Sequence, residues 1–69
     1  MVRTRVESSS VASVGYEPKT RTLEIEFLNG RVYQYFEVAA EDHEALMSAA
    51  SVGTHVNERI KGAYSYLQV

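Results

Sequence analysis

Cysteine and tryptophan are absent from the 69 residues, proline occurs once, and glycine four times. Without cysteine the chain has no disulfide, no thiolate metal ligand and no thiol nucleophile. No apolar run approaches the roughly 18 residues of a membrane-spanning helix, and the first residues lack the apolar stretch of a secretory signal. A cytoplasmic domain without membrane contact is therefore expected. Phosphate loops, dinucleotide fingerprints and His-x-x-x-His pairs are missing as well. Ser8, Ser9, Ser10 and Ser13 have neither a local base nor a glycine-flanked elbow to activate them. A chain this short has little room for a deep substrate pocket. The expectation is a non-catalytic protein with no cofactor and no metal.

What is present is a globular composition, with 45% hydrophobic and 23% charged residues. Seven Lys and Arg against nine Asp and Glu give a net charge of −2, which does not draw a polyanion to the molecule as a whole. The charges are unevenly spread. Arg3, Arg5, Lys19 and Arg21 lie in the first third and Arg59 and Lys61 near the end, while residues 22–58 hold seven acids and the single base Arg31. If the two ends and the first turn gather on one side, a local basic patch forms despite the acidic average.

Residues 1–8 read as a flexible polar leader, frayed or at most an edge extension, and residues 9–69 as one domain. Val11 to Tyr16 is β-rich and stops at Pro18, which fits a turn. Thr22 to Phe27 alternates strictly, with Leu23, Ile25 and Phe27 on one face. Asn29-Gly30 signals a hairpin, and Arg31 to Phe36 is its returning strand. A two-residue loop would put Gln34 in the core and Tyr33 and Tyr35 outside. A three-residue loop with Gly30 left-handed pairs Phe27 with Arg31 and turns the two tyrosines inward. The second avoids burying an unpartnered amide, a cost of about 1–3 kcal/mol, and is the expected register. It leaves Val32 and Phe36 on the outer face.

From Ala39 the period becomes helical. Ala39, His43, Leu46, Met47 and Ala50 share a face, Glu41, Asp42 and Glu44 load the first turn, and Gly53 reads as the residue just past the end. Thr54 then reads as the cap of a shorter helix bearing Val56 and Ile60, which Gly62 ends. Residues 63–67 alternate again, as a tail on the sheet or a short strand. The fold class is α+β: a three-stranded antiparallel meander followed by two helices on one face, β-β-β-α-α.

The ordered markers resemble the KTSC domain, a family of about sixty residues named for the C-terminus of some lysyl-tRNA synthetases and also found as free-standing bacterial proteins. Ser10, Val14, Gly15 and Tyr16 match its opening, and Leu23, Ile25, Phe27, Gly30 and Tyr33-Gln34-Tyr35 its centre. Ser51-Val52-Gly53, Asn57, Ile60 and Tyr64-Ser65-Tyr66 match its close. The resemblance covers residues 8–69. Ala39 stands where the family usually has Pro, His55-Val56 where it often has an aromatic pair, and no base follows Lys61. The role suggested for the family is RNA binding.

Two functions follow as expectations. One is a nucleic-acid module for single-stranded or structured RNA, with Arg21, Arg31, Arg59, Lys61, Tyr64 and Tyr66 as candidate contacts and tyrosines as a stacking surface. The other is a protein-interaction module that dimerises or binds a partner through the third strand and its Val32/Phe36 strip. His43 is expected at the edge of the core, since its neighbour Asp42 cannot face it on a helix. His55 has no second clustered ligand. Asn57 is expected to reach inward and bond loop backbone.

Overall fold

The alternating stretch becomes the middle strand of a five-stranded sheet. In the computed structural model, which describes residues 1–69, the strands are β1 (Arg3–Arg5), β2 (Val11–Glu17), β3 (Thr22–Phe27), β4 (Val32–Tyr35) and β5 (Tyr66–Gln68). They lie side by side in chain order, each antiparallel to the next. Helix α1 (Ala40–Met47) and helix α2 (Val52–His55), which continues into a π-helical turn (Val56–Ile60), connect β4 to β5.

The hairpin takes the bulged register. The Gly30 amide donates to the Phe27 carbonyl at 2.9 Å and the Phe27 amide to the Arg31 carbonyl at 2.8 Å, with Gly30 at φ +89°. Leu23 then pairs with Tyr35 and Ile25 with Tyr33, so the tyrosines join the apolar face. Gln34 falls opposite Glu24 on the other face and donates to its Oε1 at 2.9 Å.

The core is Val11, Val14, Leu23, Ile25 and Tyr35 from the sheet, Val38 from the connection, and Leu46, Val52, Val56 and Ile60 from the helical segments. Tyr16 ties the sheet to the chain entering α1: its hydroxyl donates to the Val38 carbonyl at 2.5 Å, and its ring stacks on His43 at 4.6 Å. His43 thus lies at the core edge, as its position on the helix predicts. Its pKa is lowered, chiefly because burial penalises the imidazolium, with Glu44 opposing.

Several expectations are corrected. The three-stranded meander is extended to five. The leader, expected to be frayed or at most an edge extension, supplies β1, whose Arg3 pairs with Gly15. Of the two readings of the tail the short strand holds, as β5. Both are three residues long; β1 is too short to show a periodicity, and β5 begins at the end of the alternating stretch 63–67. Gly53 lies inside α2 and not just past the end of α1; its lack of a side chain admits the close passage of residues 8–10, since a Cβ there would meet Ser10 Oγ at 2.5 Å. The cap of α2 is accordingly Ser51, whose Oγ accepts from the Thr54 amide at 3.3 Å. Asn57 is exposed, since the buried side of its turn is filled by Val56 and Ile60.

Candidate nucleic-acid interface

The helical segments leave part of the inner sheet face uncovered. α1 has eight residues and α2 with its π turn four and five, so each piece is under about 14 Å long at a helical rise. β3 alone, with six residues, runs roughly 20 Å. On the open part lie Phe27, Tyr33 and Tyr66. Tyr33 and Tyr66 stack with centroids 5.6 Å apart and planes at 20°, and Phe27 meets Tyr33 edge-on at 5.7 Å. Tyr35 lies behind them, 1% exposed, its pKa raised by burial and then by Tyr33 and Tyr66.

Lys61 overhangs this shelf. The π turn closes with the Lys61 amide on the Val56 carbonyl at 2.8 Å, a five-residue loop where an α turn spans four. The lysine leaves the turn in an extended conformation and holds Nζ 5.1 Å from the Phe27 ring centroid, a cation–π contact. Two clefts open on either side of it. One, about 170 Å³, is lined by Phe27, Asn29, Arg31, Tyr33 and Lys61. The other, about 330 Å³, is lined by Tyr33, Tyr35, Lys61, Gly62 and Tyr66. Neither has an acidic lining residue.

The nearest acids along β3, Glu24 and Glu26, belong to the opposite face and are partnered there. Arg3 pairs with Glu24 at 3.2 Å, and Ser13 donates to Glu26 at 2.9 Å. Neither Glu24 nor Glu26 therefore faces the shelf, and in a molecule of net charge −2 the two clefts are lined by Arg31 and Lys61 without an acid.

Of the six candidate residues, the fold brings together Arg31, Lys61 and Tyr66. Arg21 is in the β2–β3 turn, at the far end of β3, where its carbonyl accepts from the Val38 amide and its φ is +56°. Arg59 faces away, beside His55 and Glu58 on the helical side. Tyr64 is half-buried against the core and its hydroxyl donates to Asp42 Oδ2, which fastens the tail to α1. Sequence reasoning misses Phe27 and Asn29 as site residues. Phe27 reads there only as a core position, and the hairpin Asn only as a turn former. The signal for both is their adjacency to Arg31 across the bulged corner.

Outside the shelf, no group of three or more His, Asp or Glu side chains is arranged to hold a metal ion. No helix is long and apolar enough to cross a membrane.

Comparison with known proteins places this arrangement in a set of relatives. The model of the KTSC domain matches residues 7–64. An uncharacterized protein of Stutzerimonas stutzeri is 43% identical over 61 residues, taking in 88% of this chain and 86% of that one. The lysine–tRNA ligase of Nostoc punctiforme is 44% identical over 63 residues, which are 91% of this chain but 11% of the ligase. The crystal structure of a KTSC domain protein from Yersinia pestis matches with a TM-score of 0.94 at 39% identity, covering 99% of this chain and 96% of the other.

Proposed function

This chain belongs to the KTSC domain family, and from that membership and the shelf we propose that it is a small non-catalytic module that binds single-stranded RNA. The observation that carries the reading is the stacked Tyr33/Tyr66 pair at 5.6 Å, with Lys61 and Arg31 beside it and no acid lining either cleft. Bases stack on exposed aromatic faces while lysine and arginine neutralise the phosphates between them. Tyr66 is 61% exposed, so its ring is available for stacking. A lysine–tRNA ligase that carries a similar stretch is an enzyme whose substrate is an RNA, which supports the same reading.

The test is a titration of the full chain with a single-stranded RNA oligomer at low salt, followed by amide and aromatic NMR shifts. Saturable, salt-sensitive shifts around the shelf are expected. Tyr66→Ala removes one stacking face, worth about 1–3 kcal/mol. The absence of any shift at low salt would reject the proposal.

The protein-interaction reading has its own observation. β5 occupies the edge of β4, the third strand of the expected meander, and partly covers Val32 and Phe36: the Val69 amide donates to the Val32 carbonyl and the Phe36 amide to the Ser65 carbonyl, each at 2.9 Å. The open edge is now β5, and it leaves Leu67 56% and Val69 58% exposed. A partner contact there needs an oligomer that dissociates on dilution or on Leu67→Lys, measured by sedimentation. A monomer at millimolar concentration removes the self-association form of this reading.

A further inference from the structure

Arg31 and Lys61 are two cations with no acid to balance them. They line one cleft of about 170 Å³ together with Phe27, Asn29 and Tyr33. The molecule's one salt bridge joins Arg3 to Glu24, on the other face of the sheet. Phe27 holds the Lys61 ammonium 5.1 Å from its ring centroid, an attraction that leaves the charge in place. Two like charges gathered without a counter-charge repel each other, and an anion between them relieves that repulsion.

Asn29 adds a third donor. Its Oδ1 accepts the Arg31 backbone amide at 3.0 Å, which commits the oxygen to the turn and leaves the side-chain NH2 free. Arg31 and Lys61 carry only donors. The nitrogen-bearing side chains of the cleft therefore all present hydrogen to a ligand, and two of the three present charge as well.

Resting on the RNA reading above, we infer that this cleft binds a terminal phosphate monoester, the phosphorylated end of a strand. A monoester carries about −1.5 to −2 charge near neutral pH and three free oxygens. A phosphate inside a strand carries a single negative charge and has only two oxygens outside its ester bonds. The monoester balances both cations and gives each donor side chain an oxygen; the internal phosphate leaves one cation unbalanced. Lys61 and Tyr33 also line the larger cleft with Tyr66, so the nucleoside that carries the phosphate lies toward Tyr66. Nothing in this arrangement specifies its base.

The experiment is fluorescence anisotropy of the full chain at low salt with labelled hexauridylate. One pair of strands bears a phosphate or a hydroxyl at the 5′ end, and a second pair bears them at the 3′ end. At least one phosphorylated end is expected to bind about fivefold or more tightly than its hydroxyl counterpart. An added charge strengthens any electrostatic contact, so the ratio is measured again in three variants. Arg31→Gln with Lys61→Gln should bring it to near one. Arg59→Gln, outside the cleft, should leave it in place, and Tyr66→Ala should weaken both members of a pair alike without changing it. Uridine 5′-monophosphate, added as competitor, separates a strand end from a free nucleotide and is expected to compete more weakly than the phosphorylated hexamer. Competition as strong as the hexamer's reassigns the cleft to free nucleotides and overturns the strand-end assignment. Equal binding of phosphorylated and hydroxyl ends, or a ratio that survives the double substitution, overturns this inference while leaving RNA binding intact. Failure of every hexamer to bind rejects the RNA reading and this inference together.

Discussion

Tyr35 and Tyr66 are opposite each other on neighbouring strands, with rings 5.9 Å apart, yet one is 1% and the other 61% exposed. The same side chain serves as core in one place and as surface in the next. The difference is made by what lies above the sheet. Over Tyr35 the helical segments supply Leu46, Val56 and Ile60 as one apolar cluster; over Tyr66 the chain has already turned away at Gly62, φ +80°. A 69-residue chain has too little helix to cover a five-stranded sheet, and the uncovered remainder is the candidate site.

The sharpest way to break this contrast is to truncate both rings. Tyr35→Ala opens a cavity in the core and should cost about 3–5 kcal/mol, enough to unfold a domain of this size or nearly so. Tyr66→Ala should cost under about 1 kcal/mol. Urea unfolding of the two variants checks the pair, and similar losses would deny the division into covered and open halves.

Charge reversal sharpens the contrast from the open side. Arg31→Glu with Lys61→Glu should weaken RNA binding at least about tenfold. The slope of log affinity against log salt should fall by about 0.7 for each phosphate that the protein no longer neutralises. The cost in stability should stay within about 1 kcal/mol, even with the Lys61–Phe27 attraction removed. Arg59→Glu, on the helical side, should change affinity far less in the same titration.

Smaller effects belong to the covered half. Tyr64→Phe deletes the hydroxyl that donates to Asp42 and should lower stability by about 1 kcal/mol, seen as a shift of the urea midpoint. The smallest concerns pH. Because the folded pKa of His43 lies below its ordinary 6.5, the unfolded chain takes up the proton first as the pH falls. Stability from this residue is complete above about pH 7 and declines from there down to the folded pKa. His43→Phe, which keeps a ring against Tyr16, should flatten the stability profile as the pH falls below about 7.

The two halves are not equally legible in the sequence. The covered half follows from local rules: the alternation of Leu23, Ile25 and Phe27, the Asn29-Gly30 corner, and the cost of burying Gln34 together fix the register that buries Tyr35. The open half depends on where short or irregular pieces end. β1 carries three residues, too few for a period of two to show; the alternation of residues 63–67 points to β5 without fixing that it pairs with the third strand of the meander, which therefore reads as an edge. The place of Lys61 depends on a π-helical turn, which has no composition signal. Gly53 misleads because a glycine after a helical run commonly marks its end, whereas here it admits the close passage of Ser10. Tyr64 and Tyr66, two residues apart on the same tail, look equivalent in sequence; only the three-dimensional path gives one to Asp42 and the other to the shelf.

On the proposed reading, RNA binds at the uncovered aromatic shelf and at no other surface. A titration of the isotope-labelled full chain with hexauridylate, reading side-chain resonances, tests it directly. The account predicts concerted movement of the Phe27, Tyr33, Lys61 and Tyr66 signals, with those of Leu46, Val56 and Arg59 nearly still. Movement centred on Leu67 and Val69 or on the Arg59 side, or none at all, would contradict it.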